Sequence, residues 1–336
     1  MSGFPGLKIG HAADDGLKSG VTVFLPDEPA VAAVHVSGGA PASRETDLLR
    51  PGKLVERADA VVLSGGSAFG LAAADGAAAW LSGRKRGFAV GSARVPIVPG
   101  SALFDLANGG ATQPFEEARA DAIYRRLGLA ACEAAGTAPE SGTAGAGTGA
   151  TTADLKGGFG VAEAALADGT RVAAFAAVNA LGRVTLGTTP HFRAAPFERD
   201  AEFGGLGLPA SLPADSAEIV VKRGIEPLAS TTLALIATDC ALSRPDALRL
   251  AIAAHDGIAL AVFPAHTPFD GDTVYAIATG ARGAPAGPHV LLSLCATAAA
   301  TLARAIAKAV YTAEPSDGDL VPTWRARYGI RSPDGR

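Results

Sequence analysis

Residues 231–239, Thr-Thr-Leu-Ala-Leu-Ile-Ala-Thr-Asp, make an apolar run of strand length that opens on two hydroxyls and closes on an acid. A short apolar run of this kind reads as a buried strand, and a buried strand needs other layers packed over it. Residues 60–63 and 171–178 read the same way, the second ending at Asn179. Between the strands lie Ala-rich stretches of helical length. Residues 68–81 follow a Ser-Gly-Gly-Ser turn and end at Gly83 beside the basic Arg84-Lys85-Arg86. Residues 116–135 stop at Gly136. A third helix starts at Ser243-Arg244-Pro245-Asp246, with a capping Ser, an early Pro and an acid three residues on, and runs to about His255. Residues 290–313 form the last long helix, apolar on most faces. The pattern predicts a layered α/β fold with helices covering sheets, and leaves the strand order open.

The chain has 336 residues, enough for one large domain or two ordinary ones. It is 48% hydrophobic but only 6% aromatic, so Ala and Gly do much of the packing and layers can approach closely. A net charge of −4 gives no reason to expect nucleic acid, which favours basic patches. The longest apolar candidate for a membrane span, residues 290–303, is stopped by Arg304 and is too short. The first residues lack the basic-then-apolar order of a signal peptide. Cys132, Cys240 and Cys295 are odd in number and far apart, which indicates neither a disulfide framework nor a metal site. These features fit a soluble cytoplasmic enzyme with no metal or organic cofactor. Residues 138–153, rich in Gly, Thr and Ala, and residues 193–212, rich in Pro, Gly and charge, read as linkers. The polar tail after Glu314 reads as peripheral.

The chemistry centres on Thr231. Thr-Thr at a strand start is commonly just β-branched strand former. A Thr hydroxyl becomes a nucleophile only with a base beside it, and no Ser-His-Asp arrangement is legible. A cut between Ser230 and Thr231 would supply one, because the new α-amine would have a pKa of about 7.7–8.0 and could serve as its own general base. Asp270 and Asp272 flank Gly271 in a tight loop. They form either an Asp-Gly turn or a carboxylate pair able to hold an ammonium; the full calcium-loop pattern is missing. Asn179 is either a turn former or an amide donor to an oxyanion. Lys156, between Leu155 and Gly157-Gly158, is either a surface charge or a site residue. His255 and His266 are candidate bases or structural hydrogen-bonders, without ligand spacing for a metal. Gly65-Gly66-Ser67-Ala68-Phe69-Gly70 lacks the Lys of a phosphate loop and fails the nucleophile-elbow pattern. Gly145-Ala146-Gly147-Thr148-Gly149 misses the dinucleotide fingerprint. Both glycine runs are taken as packing or substrate-lining loops, with Gly66, Ser67 and Phe69 as candidate substrate contacts.

Six segments together resemble one family, the DmpA/BapA self-processing aminopeptidases and β-aminopeptidases, which include the NylC-type 6-aminohexanoate-oligomer (nylon oligomer) hydrolases. They are 65–71, 95–99, 145–149 with Lys156-Gly157-Gly158, 178–180, Thr231-Thr232 with 237–239, and 266–273, in family order. The resemblance implies a four-layer αββα sandwich, similar in architecture to N-terminal-nucleophile hydrolases, formed by a single domain of residues 1–336. It implies self-cleavage into an α chain 1–230 and a β chain 231–336, with Thr231 as nucleophile. Asn179 is implied as oxyanion donor, with Lys156, Asp270 and Asp272 in support. It also implies a tetramer of processed heterodimers acting on small amides or oligoamides. The peptidase branch carries a Ser nucleophile with a Ser/Glu pair; Thr231, the two Asp residues and Lys156 resemble the nylon-oligomer branch more. Ser230 departs from that branch, which has Asn before the cut. Two alternatives remain: an aminopeptidase or β-aminopeptidase acting on short peptides, and an acyltransferase resembling ornithine acetyltransferase.

Overall fold

The computed structural model describes residues 3–222, 230–283 and 287–329. In chain order the strands are β1 (Leu7–Asp14), β2 (Ser19–Pro26), β3 (Ala30–Val36), β4 (Ala42–Arg44), β5 (Arg57–Ala58), β6 (Val61–Ser64), β7 (Phe88–Val90), β8 (Ala93–Val95), β9 (Gly100–Ala102), β10 (Gly158–Ala165), β11 (Arg171–Asn179), β12 (Thr231–Thr238) and β13 (Thr273–Ala278). The helices are α1 (Ser67–Gly70), α2 (Ala73–Gly83), α3 (Gln113–Glu116), α4 (Ala120–Glu133), α5 (Arg244–Ala261), α6 (Pro288–Tyr311) and α7 (Trp324–Tyr328).

Two sheets stack face to face. One has the order β1-β2-β6-β9-β4, the other β10-β11-β12-β13-β3-β5. Alternation along β12 shows why. Leu233, Leu235 and Ala237 face the space between the sheets, where Phe24, Leu63, Phe159, Phe175 and Tyr275 pack. Ala234 and Ile236 face the other way, onto α5 and α6. The outer face of the first sheet is covered by α2 and α4 through Val21, Val23, Ala77, Tyr124 and Leu127. The layers are therefore helix, sheet, sheet, helix: the expected αββα sandwich. Small residues let the layers close up; a Cβ at Gly160 of β10 would lie 1.9 Å from the carbonyl oxygen of Ala305 in α6.

Several local expectations change. Residues 138–153 are not a linker: Gly145–Gly147 form a buried 3-10 turn against β2, with Ala146 N–H donating to Thr22 Oγ1 at 3.0 Å. The tail after Glu314 is not peripheral, since Trp324 is fully buried among Phe192, Tyr311 and Tyr328. Arg304 lies inside α6, as the helix expected over 290–313 requires. Its guanidinium pairs with Glu202 and donates to the Glu163 carbonyl at 2.9 Å, so the helix continues to Tyr311. With 24 residues α6 has the length and apolar character of a membrane span, but one face packs on β10, β11 and α5 in the core.

Candidate active site

The topology of the second sheet brings three chain segments to the start of β12. Its antiparallel neighbour β11 ends there, pairing Asn179 opposite Thr231. Its parallel neighbour β13 begins there, so the loop carrying Asp270 and Asp272 arrives at the same end. A parallel bridge between Ser230 and Asp270 continues the same register three residues back from the first pair of that ladder, Leu233 and Thr273.

Thr231 is buried, at 3% exposure. Its Oγ1 donates to the carbonyl oxygen of Ser230 at 2.5 Å. The N–H of Gly271 donates to the same oxygen at 2.9 Å. A side chain at Gly271 would crowd the hydroxyl, because a Cβ would lie 2.5 Å from Thr231 Oγ1. The next amide, Thr232 N–H, donates to Asp272 Oδ1 at 2.7 Å. The other Asp272 oxygen takes the backbone N–H of His266 at 3.0 Å and its Nδ1 at 2.8 Å. Asp270 Oδ2 accepts from the N–H and Oγ1 of Thr267, at 2.8 and 2.7 Å. Burial, then the charge of Asp272, push the Asp270 carboxyl above its ordinary range.

Asn179 lies beside this group with its side chain fully engaged. Nδ2 donates to the Phe104 carbonyl at 2.7 Å, and Oδ1 accepts from Thr151 N–H at 3.0 Å. Oδ1 also accepts from Lys222 Nζ at 2.8 Å, and the Asn179 carbonyl takes the same ammonium at 3.1 Å. Lys222 was not singled out from sequence, where a lone Lys in Val-Val-Lys-Arg looks like solvated surface. Here it is buried. Burial brings its pKa down to about 7, although Asp270 and Asp105 pull the other way. Asp105 is buried too and is raised to about 6 by that burial, with Gly66 N–H donating to its Oδ1 at 2.7 Å.

The remaining sequence candidates sit further out. Gly66 reaches the cluster through Asp105, and Ser67 N–H donates to the Leu103 carbonyl at 2.8 Å. Phe69 is 45% exposed and lies against Phe115. Lys156 is drawn to the tail: its ammonium is 2.8 Å from Asp319 Oδ2 and 3.0 Å from Ser316 Oγ. Asp319 also pairs with Lys18 at 2.5 Å. Among the described residues no cluster of His, Cys, Asp and Glu is arranged to hold a metal.

Chemically, the arrangement places a hydroxyl on the carbonyl of its own peptide bond and a second donor on the same oxygen. One carboxylate, Asp272, is bonded to the next amide, Thr232 N–H, and a second, Asp270, is anchored by Thr267 on the same loop. The profile of peptidase family S58 matches residues 2–321. An uncharacterized aminopeptidase of Mycobacterium tuberculosis is 43% identical over 344 residues, covering 96% of each chain. A 6-aminohexanoate-oligomer endohydrolase of Kocuria sp. is 28% identical over 315 residues, covering 89% of this chain and 81% of that one. The solved structure of an L-aminopeptidase D-Ala-esterase/amidase from Ochrobactrum anthropi, described as a variant of the Ntn-hydrolase fold, superposes with a TM-score of 0.66 at 18% identity. It covers 97% of this chain and 93% of that one.

Proposed function

The chain belongs to peptidase family S58, and on that premise we propose that it is a self-processing amide hydrolase whose nucleophile is Thr231. One observation carries the reading: Thr231 Oγ1 and Gly271 N–H both donate to the Ser230 carbonyl oxygen. That oxygen gains negative charge when the hydroxyl adds to the carbonyl carbon, and Gly271 N–H is then a donor aimed at the developing charge, a large source of rate enhancement.

In the maturation step the Oγ1–C bond forms, the C–N bond between Ser230 and Thr231 breaks, and the hydroxyl proton ends on the Thr231 nitrogen. This gives an ester and a free Thr231 amine. Water then hydrolyses the ester, leaving a carboxylate on the α chain 1–230 and an N-terminal Thr on the β chain 231–336. In the mature enzyme that amine takes the Thr231 hydroxyl proton and passes it to the leaving amine of a substrate, and water releases the acyl group from Oγ1. Departure of the Ser230 carbonyl leaves Gly271 N–H aimed at the position of the substrate carbonyl oxygen. Asn179 is the second donor, its Nδ2 exchanging the Phe104 carbonyl for the oxyanion. Asp270 and Asp272 supply negative charge beside the new ammonium. Lys156, through Asp319, holds the tail over the loop that contacts Asn179.

For substrate, amides and short peptides with a free amino end are favoured, because the 43% identical relative is named an aminopeptidase. Hydrolysis of 6-aminohexanoate oligomers is the narrower reading, resting on a relative at 28% identity. Intact-mass analysis with N-terminal sequencing tests the nucleophile. A fragment beginning Thr-Thr-Leu-Ala-Leu, absent from Thr231→Ala, is the expected result; a cleaved Thr231→Ala protein would overturn the assignment. Turnover of peptide amides against 6-aminohexanoate oligomers by the cleaved protein then separates the two substrate readings.

A further inference from the structure

The maturation chemistry makes no use of His266, yet this ring is tied to the site more tightly than any other His in the chain. Nδ1 faces Asp272 Oδ2 at 2.8 Å, and Nε2 faces the carbonyl oxygen of His255 at 3.3 Å. Both partners are acceptors only. A neutral imidazole has one donor nitrogen and satisfies one of them; the imidazolium, a donor at both nitrogens, satisfies both. The neighbouring His255 has the opposite arrangement. Its Nε2 donates to the His35 carbonyl at 3.0 Å, and its Nδ1 is buried without a partner, as in a neutral ring. The backbone at His266 is left-handed, with φ +56, a conformation that His and Asn tolerate better than most residues.

We propose that His266 is a positioning residue held as an imidazolium, which fixes Asp272 against the Thr232 N–H and offsets one of the two carboxylate charges beside the Thr231 nitrogen. The inference rests on Thr231 being the nucleophile. The groups facing the ring are Asp272 and Asp270 on its own loop, His255 on α5, and His35 on β3 with Arg249 of α5 behind it. Burial works against charge on His266, and the hydrogen bond and attraction to Asp272 outweigh it, holding the ring above its ordinary range. Burial, by contrast, takes His255 down to about 4.

The consequence is a pH profile. In the mature enzyme the acidic limb of kcat/KM reports loss of the proton from the Thr231 ammonium. An uncompensated carboxylate nearby favours the charged amine and moves that limb to higher pH. His266→Asn keeps a donor near Nδ1 and suits the left-handed backbone, but cannot carry charge. With the purified full chain and a chromogenic amino-acid anilide as probe, H266N should shift the acidic limb upward by about half a unit or more. Its alkaline plateau should stay within about threefold of the wild type. A limb at the wild-type position, or a uniform loss of rate without a shift, overturns the role of His266 alone. A wild-type chain that never yields a fragment beginning at Thr231 overturns both readings. Ring-nitrogen NMR of the uncleaved Thr231→Ala chain gives a second readout that needs no maturation. It should find His266 doubly protonated at pH 7, and a neutral ring there overturns the proposal.

Discussion

The Thr231 hydroxyl lies 2.5 Å from the carbonyl oxygen of Ser230, the residue that precedes it, and donates to it. The proposed nucleophile and its proposed target are thus held in contact within one peptide unit. The contact is fixed by strand pairing on both sides: Asn179 sits opposite Thr231, and the Ser230–Asp270 bridge lies on the other flank. Sheet register, rather than a mobile side chain, sets the geometry.

Gly271 is the most exposing test of that geometry. A methyl group there would lie 2.5 Å from Thr231 Oγ1 and 3.0 Å from the Ala40 carbonyl oxygen, which forces the loop or the hydroxyl to move. Gly271→Ala should fold, since the position is a local loop, yet its appearance of the 231–336 fragment should slow at least about a hundredfold, the scale of losing one oxyanion donor. Time-resolved intact mass and a thermal melt check the two halves of this statement. Wild-type cleavage kinetics would mean that the crowding at Thr231 is not real.

Asn179 has two jobs that one substitution separates. Its oxygen accepts from Thr151 N–H and Lys222 Nζ, while its nitrogen donates to the Phe104 carbonyl. Asn179→Asp keeps the acceptors and removes the donor. In the mature enzyme kcat should fall by about a hundredfold or more, with KM changed only a few-fold, if the donor serves the oxyanion. Stability should fall by about 1–3 kcal/mol, because the carboxylate oxygen that replaces Nδ2 faces the Phe104 carbonyl oxygen with no proton between them, while Lys222 keeps its partner. Steady-state kinetics and urea unfolding decide it, and unchanged turnover removes Asn179 from the oxyanion role.

The strands at the centre were legible because their apolar runs are bounded by turn residues and acids. The carboxylate loop was legible because Asp-Gly-Asp between two apolar runs is dense in chemistry. Neither Gly271 nor Lys222 could be read in that way. A backbone N–H leaves no trace in a side-chain pattern, and Lys222 becomes a site residue only because the fold buries it against Asn179. The Gly-rich stretch 138–153 was misread for a related reason. Glycine marks both loose connections and close approach of backbones, and only the packing of Gly145–Gly147 onto β2 distinguishes them. The tail was misread because Ser316 and Asp319 look like surface, whereas they bind the buried Lys156.

That last contact predicts the behaviour of Lys156. If its role is to clamp the tail through Asp319, Lys156→Met and Asp319→Asn should both destabilise the fold, Asp319→Asn the more because it also unpairs Lys18. Each breaks a largely buried ion pair, for a loss on the order of 3 kcal/mol, and each should keep kcat within about tenfold at a temperature where the protein is folded. Urea unfolding and steady-state kinetics on both variants test it. Abolished turnover in Lys156→Met alone would instead place its ammonium in the reaction.

Lys222 gives a prediction in pH. Its folded pKa of about 7 lies below the ordinary lysine value of 10.5 because burial disfavours the ammonium. Between those values the unfolded chain binds the proton and the folded chain does not. Stability from this group therefore rises with pH across the window, by up to about 1.4 kcal/mol per pH unit for one proton. Below pH 7 both states are protonated and the slope from this group vanishes. Lys222→Met carries no such proton, so its stability should be flatter from pH 7 to 10. The comparison belongs in the Thr231→Ala background, where both proteins stay uncut and the unfolding reaction is the same. Urea midpoints at pH 7, 8.5 and 10 measure it. Parallel slopes for the two proteins would mean that Lys222 keeps its charge in the fold, with Asp270 and Asp105 outweighing its burial.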